Sequence, residues 1–156
     1  DENASMEMES VQIKGVSSTV RETYANMKKG SNLVITERIM TTGKQTAKTV
    51  FDVNLDGEDA SVHVASRSVA EDDSAQEFIS NVKGNAKCFG HVECDAIIMG
   101  NGRVISDPKI EANNVDASLI HEAAIGKIAG EQLTKLMTLG LTEKEAEEQI
   151  INGFLK

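Results

Sequence analysis

Cys88, His91 and Cys94 fall within seven residues, and thiolate and imidazole are together donors for zinc, copper and iron. A local chelate does not follow from that spacing. In an unbroken strand the two cysteines share a face but lie ~20 Å apart, while His91 faces the other side of the sheet. A bulge at Gly90 would change this, but the spacing matches no standard zinc pattern. From these residues alone, two small buried thiols and a surface histidine remain the plainer account. A second relation is longer in range: Cys94 and His121 stand 27 residues apart. If that interval is one structural repeat, the two are neighbours on successive coils, with Asp95 beside Glu122. Thiol, imidazole and carboxylates would then be gathered in a set able to hold iron or accept sulfur. An imidazolium beside Cys94 would also lower its thiol pKa and make it more reactive than Cys88. The alternative for His121 is a hydrogen-bonded histidine ahead of a helix.

Other constellations are absent. The chain has no G-x-S-x-G, no P-loop and no G-x-G-x-x-G, so it carries no loop to cradle the phosphates of ATP. The acidic pairs Asp72-Asp73 and Glu147-Glu148 lack calcium-loop spacing and read as solvated surface. The expectation is a protein that is not an enzyme by itself.

The elements that must position these residues are mostly strands. From about Val11 to Ile120, short stretches rich in Val, Ile, Thr and Ser alternate with Gly, Asn and Asp corners, the pattern of β-structure. The stretches are Leu33–Met40, Thr46–Leu55, Ala60–Val69, Glu77–Val82, Cys88–Met99 and Arg103–Ser106. Gly30, Gly57 and Gly84 recur at intervals of 27 residues, a period that points to a solenoid. Stacked coils that bury small apolar faces against one another explain the many corners and few aromatics together; a β-sandwich is the alternative. After Gly126 the pattern turns helical. One amphipathic helix is expected over Glu131–Leu139, ended by Gly140, and a second from Thr142, where Thr142 and Glu145 have capping-box spacing. The expected organisation is a flexible segment at 1–10, a β-helix at 11–126 and a helical tail at 127–156. The tail's apolar stripe exceeds what a terminal hairpin needs, and Leu133, Leu136, Ile150 and Phe154 are its candidate partner-binding residues.

Composition narrows the class. The 156 residues suffice for one domain with a real core. A net charge of -9, with no Lys/Arg run longer than Lys28-Lys29, gives no footprint for nucleic acid. No apolar run approaches the ~20 residues that span a bilayer. Two cysteines are too few for a secreted disulfide framework, so a reducing cytoplasm is the expected location. The start at Asp1, without Met, reads as a piece of something longer. A solenoid also ends in unpaired strand edges, so a dimer through the last coils is expected.

A resemblance adds to this reading. Gly90-His91-Val92-Glu93-Cys94-Asp95-Ala96-Ile97-Ile98-Met99-Gly100, Pro108-Lys109-Ile110-Glu111-Ala112, Ile120-His121-Glu122-Ala123, Gly126-Lys127-Ile128, Glu131-Gln132-Leu133, Leu136, Gly140-Leu141 and Gly153-Phe154, in that order over nearly half of the chain, resemble the C-terminal end of SufB/SufD proteins of iron-sulfur cluster assembly. The resemblance implies a mainly β fold, a right-handed parallel β-helix (solenoid) followed by two short C-terminal α-helices that dock on a SufC-type ABC ATPase. It implies a homodimer, or a heterodimer with a SufB/SufD paralogue. The Cys-Asp segment with His-Glu-Ala is closer to SufB, the scaffold, which would make Cys94 the acceptor of persulfide sulfur or a cluster ligand. His121 and Glu122 would be further ligands of a transient iron-sulfur cluster, with no cofactor held tightly by the isolated chain. Ile120 stands where SufB-like sequences often carry an acidic residue, and Thr134 and Lys135 where the family usually shows aromatics. The alternative within the family is a SufD-like structural partner that binds the ATPase without holding a cluster.

Overall fold

The computed structural model describes residues 1–156 as nine strands followed by two helices. The strands are β1 (Ser5–Ile13), β2 (Ser18–Met27), β3 (Asn32–Thr41), β4 (Thr46–Leu55), β5 (Ala60–Ala70), β6 (Ala75–Gly84), β7 (Cys88–Ile98), β8 (Arg103–Ala112) and β9 (Ser118–Gly126), with helices α1 (Gly130–Thr138) and α2 (Glu143–Phe154). Odd strands form one sheet in the order β1-β3-β5-β7-β9, and even strands form the other, β2-β4-β6-β8. Every pairing is parallel. The molecule is thus the expected parallel β-helix, in which each coil contributes one strand to each sheet. Its first strand begins at Ser5, inside the segment read from sequence as flexible.

Alternation decides what each strand buries, because successive side chains point to opposite faces. The inward positions of the middle coils form one apolar cluster, including Ile35, Val53, Val62, Val64, Phe51, Phe78, Val92, Cys88 and Cys94. Phe51 and Phe78, on adjacent strands of the even sheet, stack at 5.7 Å. The inner space is narrow enough that mostly aliphatic side chains fill it, which is why the sequence is poor in aromatics.

The repeat differs from the glycine spacing. Ser5 pairs with Asn32, Asn32 with Ser61, Ser61 with Phe89 and Phe89 with Ser118. The sequence separation is 27 for Ser5 and Asn32 but 29 for Asn32 and Ser61, so the coils are not of equal length. Gly30, Gly57 and Gly84 are not equivalent positions. The stacked left-handed corner runs through Asn3, Gly30 and Asp59, with φ of 55°, 64° and 58°, linked by backbone hydrogen bonds from Asn3 N to Lys29 O and from Gly30 N to Glu58 O. Asn and Asp tolerate this region where Gly is absent. Gly57 answers a different need: a Cβ there would lie 2.0 Å from the Lys29 backbone nitrogen. Corner amides add short ladders, Asn54 donating to Asn26 at 2.9 Å and Asn113 to Asn85 at 2.8 Å.

The tail follows the sequence expectation closely. Gly140 (φ 97°) ends α1, and Thr142 caps α2 with both bonds of the capping box, Glu145 N to Thr142 Oγ1 at 3.3 Å and Thr142 N to Glu145 Oε2 at 2.8 Å. α2 buries Ala146 and Ile151, and Ile151 joins Met40 and Val69 in a second apolar cluster against which Phe154 also packs. α1 buries no residue. No helix is long and apolar enough to cross a membrane.

Candidate metal and sulfur site

Strand β7 carries the chemistry on both of its faces. Its burial alternates, with Cys88, Gly90, Val92, Cys94 and Ala96 inward and His91, Glu93 and Asp95 on the outward side. The strand runs without a bulge at Gly90, which pairs in register with Val62. Gly90 is small for a packing reason: a Cβ there would meet Leu119 of the neighbouring strand at 2.8 Å and Val82 across the interior at 3.2 Å.

Cys88 and Cys94 are both free and buried, six positions apart on one straight strand, so they share a face without meeting. Cys94 is 2% exposed. Burial pushes its thiol pKa up, and the carboxylates of Asp95 and Glu37 add to this. The nearby Ser106 hydroxyl acts the other way, although no properly aligned hydrogen bond forms, since Ser106 Oγ has no partner within the protein. Cys88 is likewise pushed up by burial. The expectation of a thiolate stabilised by an adjacent imidazolium is therefore corrected: low-dielectric surroundings favour the neutral thiol.

His121 lies on β9, the edge strand of the odd sheet. The register pairs it with Val92, while Cys94 pairs with Ala123 and Glu93 with Glu122. The coil here is longer than the glycine interval by two positions, so the expected direct juxtaposition of Cys94 with His121, and of Asp95 with Glu122, is displaced by the same amount. A shift of two preserves the face, so Cys94 and His121 occupy the same inward side. Their Cα atoms are diagonal neighbours at ~8 Å, from a strand spacing of ~4.8 Å and a rise of ~3.3 Å per residue. Glu122, one position on, faces outward and is separated from both. His121 has a further peculiarity: both ring nitrogens are buried and neither has a hydrogen-bond partner in the protein. Burial, and then the charge of His91, hold its pKa down, so the ring is neutral and its acceptor nitrogen is available.

The outward face holds a group that the sequence reading passed over. β5 and β7 pair His63 with His91, and His63, His91 and Glu93 each offer a ligand atom within 4.8 Å of the others. Glu122 reaches the same place, its Oε2 lying 3.7 Å from His91 Nε2. His63 and His91 are one coil apart, a step one position longer than the glycine interval, which therefore could not reveal the relation.

Comparison with known proteins decides the family. The model of the SufBD core domain of the SUF iron-sulfur cluster assembly system matches residues 1–154. The chain belongs to the SufBD family. It is 36% identical over 129 residues to an iron-sulfur cluster assembly SufBD family protein of Methanocaldococcus jannaschii, covering 82% of this chain and 41% of that one. A SufBD family protein of Pyrococcus horikoshii is 33% identical over 135 residues, covering 86% and 41%. The iron-sulfur cluster assembly protein SufB of Bacillus subtilis is 36% identical over 98 residues, covering 60% and 21%. The chain thus spans less than half the length of these SufBD relatives.

Of the residues singled out in this SufBD chain for a partner surface, Leu133, Leu136 and Ile150 are half-buried, and Phe154 is engaged by the solenoid through the second apolar cluster. The most exposed apolar residues of the tail are Leu139 and Met137. The last coil is open as well, with Ile105, Ile110, Ile120 and Ile125 exposed beside the free edges of β8 and β9.

Proposed function

We propose that this chain is a scaffold or accessory subunit of iron-sulfur cluster assembly, in which Cys94 and His121 hold iron or sulfur of a nascent cluster as cargo. One observation carries the reading. A neutral imidazole with both nitrogens buried and unpartnered costs on the order of 1–3 kcal/mol per group, and such a group calls for an explanation beyond packing. Here it lies on the inward side, on the strand next to Cys94 and one diagonal step from it. Iron binding would displace the thiol proton and replace the stabilisation that burial withholds from the thiolate. Glu122, on the other face, is not part of this pair.

The chain works without catalysing the power step, since it has no phosphate loop; a SufC-type ABC ATPase supplies ATP hydrolysis from the cytoplasm. α1 and the exposed Leu139 and Met137 form the docking surface, with Leu133, Leu136 and Ile150 beneath it. The open last coil pairs with a second copy or a SufB/SufD paralogue. The SufD-like reading, in which no cluster is held, draws support from the 2% exposure of Cys94.

Anaerobic reconstitution with ferrous iron and sulfide, read by visible absorption, separates the two. Cys94→Ser is expected to abolish the cluster spectrum, His121→Ala to weaken it, and Cys88→Ser to leave it unchanged. An unaltered spectrum in Cys94→Ser eliminates the scaffold reading at this site. Deletion of residues 130–156 is expected to abolish capture of the ATPase; undiminished capture rejects the docking surface.

A further inference from the structure

We propose that the outward face of the odd sheet carries a second, separate site: a divalent first-row transition ion bound by His63, His91 and Glu93. The argument begins with the register. In-register parallel pairing puts His63 of β5 beside His91 of β7, and their rings meet at 5.2 Å with a 60° interplanar angle. Glu93 follows two positions after His91 and therefore returns to the same face. All three donors stand on strands in the middle of a hydrogen-bonded sheet, where backbone motion is small and the ligand geometry is fixed in advance.

Spacing and partnering point to an ion. The His91 ring is held between two carboxylates, Nδ1 3.6 Å from Glu93 Oε1 and Nε2 3.7 Å from Glu122 Oε2. Both separations exceed a hydrogen bond. Two ligands of one tetrahedral metal, each ~2.0–2.1 Å from it, sit ~3.3 Å apart; His91 Nδ1 and Glu93 Oε1 stand at 3.6 Å, and all three donors lie within 4.8 Å of one another. His91 Nε2 is moreover buried with no hydrogen-bond partner in the protein. The side chains of His91 and Glu93 keep 20% and 32% of their surface exposed, enough for an ion to enter and leave.

The donor set selects the class of ion. Two imidazoles and a carboxylate suit Zn2+, Fe2+, Co2+ or Ni2+, while calcium and magnesium prefer oxygen and Cu(I) prefers sulfur. Three protein ligands leave a coordination position open. This site is independent of the Cys94 reading: the peptide bond between Glu93 and Cys94 joins them, but the sheet separates their side chains.

The test uses the whole chain, with Co2+ as an optical probe and Zn2+ in calorimetric titration. Wild-type protein should take up Co2+ with visible bands of nitrogen and oxygen ligation that His63→Ala and His91→Ala lose. His63→Ala, His91→Ala and Glu93→Gln should each weaken Zn2+ binding at least as much as the ~10- to 100-fold that loss of a supporting group costs. Circular dichroism of each variant checks the fold, and His63→Asn serves as a gentler replacement. Affinity should fall in acid, because protons compete with the metal for its ligands. Cys88→Ser should bind Co2+ and Zn2+ as wild type does. No uptake by the wild type, or uptake unchanged in folded His63→Ala and His63→Asn, would each overturn the proposal. Since cluster reconstitution is read on Cys94 and ion uptake on His63 and His91, either site can fail while the other stands.

Discussion

The two faces of β7 share one backbone and differ in everything else. Inward, Val92 and Cys94 are closed off from water, and protonation there is set by desolvation: the thiol is pushed up, and His121 on the neighbouring strand β9 is pushed down. Outward, His91 and Glu93 keep part of their surface in water and stand among other ionisable groups. Residue type alone therefore does not say what a side chain can do in a β-helix; parity along the strand does.

The sharpest break of that comparison is a charge moved across the strand. Val92→Asp puts an unpaired carboxylate where the native side chain is 2% exposed, and should cost roughly 4 kcal/mol or more or prevent folding. Asp95→Asn on the outward side should stay within about 0.5 kcal/mol. Urea unfolding of both variants checks this, and comparable losses would refute the division of faces.

A smaller effect concerns the one carboxylate that is inward. Glu37 is fully buried, accepting from Thr49 and Ser66 at 2.9 Å each and paired with Arg21. Burial raises its pKa, against the lowering effect of these partners. Arg21→Met leaves the carboxylate without its cation and should cost about 3–5 kcal/mol at neutral pH. Lys48→Met, which breaks the outward pair with Glu77 at 2.9 Å, should cost less than about 1 kcal/mol. The sign with pH follows from the raised pKa: the contribution of Glu37 is full below its unfolded value and is lost as pH rises through the folded one. The Arg21→Met deficit should therefore shrink in acid. A deficit that is constant or larger at low pH would contradict the assignment.

Much of this was legible in the sequence. Solenoid, the strands β3 to β8, the capping box at Thr142 and the end of α1 at Gly140 were readable because each rests on local chemistry. What failed was the phase between coils. Corner positions accept Gly, Asn or Asp, so Asp59 stands where the glycine rule looked for Gly57, and coils longer by one or two positions broke that rule unnoticed. An error of two moved His121 from opposite Cys94 to diagonal, which keeps the face. A step of one separated Glu122 from both, and the same uncertainty hid His63 opposite His91. β1 was missed because its residues, Glu7, Glu9 and Gln12 among them, are polar enough to resemble a loose end.

The smallest effect tests the inward imidazole directly. His121 is held neutral by burial, with the charge of His91 acting in the same direction. A base whose folded pKa is depressed contributes stability that is fully present above its unfolded value, ~6.5, and lost as pH falls through the folded value. Wild-type protein should therefore lose stability as pH falls below about 6.5 relative to His121→Asn, with a difference in slope of at most one proton. The window lies at and below the unfolded histidine value because the shift is downward; an upward shift, as for an imidazolium paired with a Cys94 thiolate, would place the loss on the alkaline side. Urea midpoints of the two proteins across this range and above it distinguish the cases. Parallel profiles would mean that His121 is solvated on the open last coil, and a crossing on the alkaline side would restore the thiolate-imidazolium pair that burial argues against.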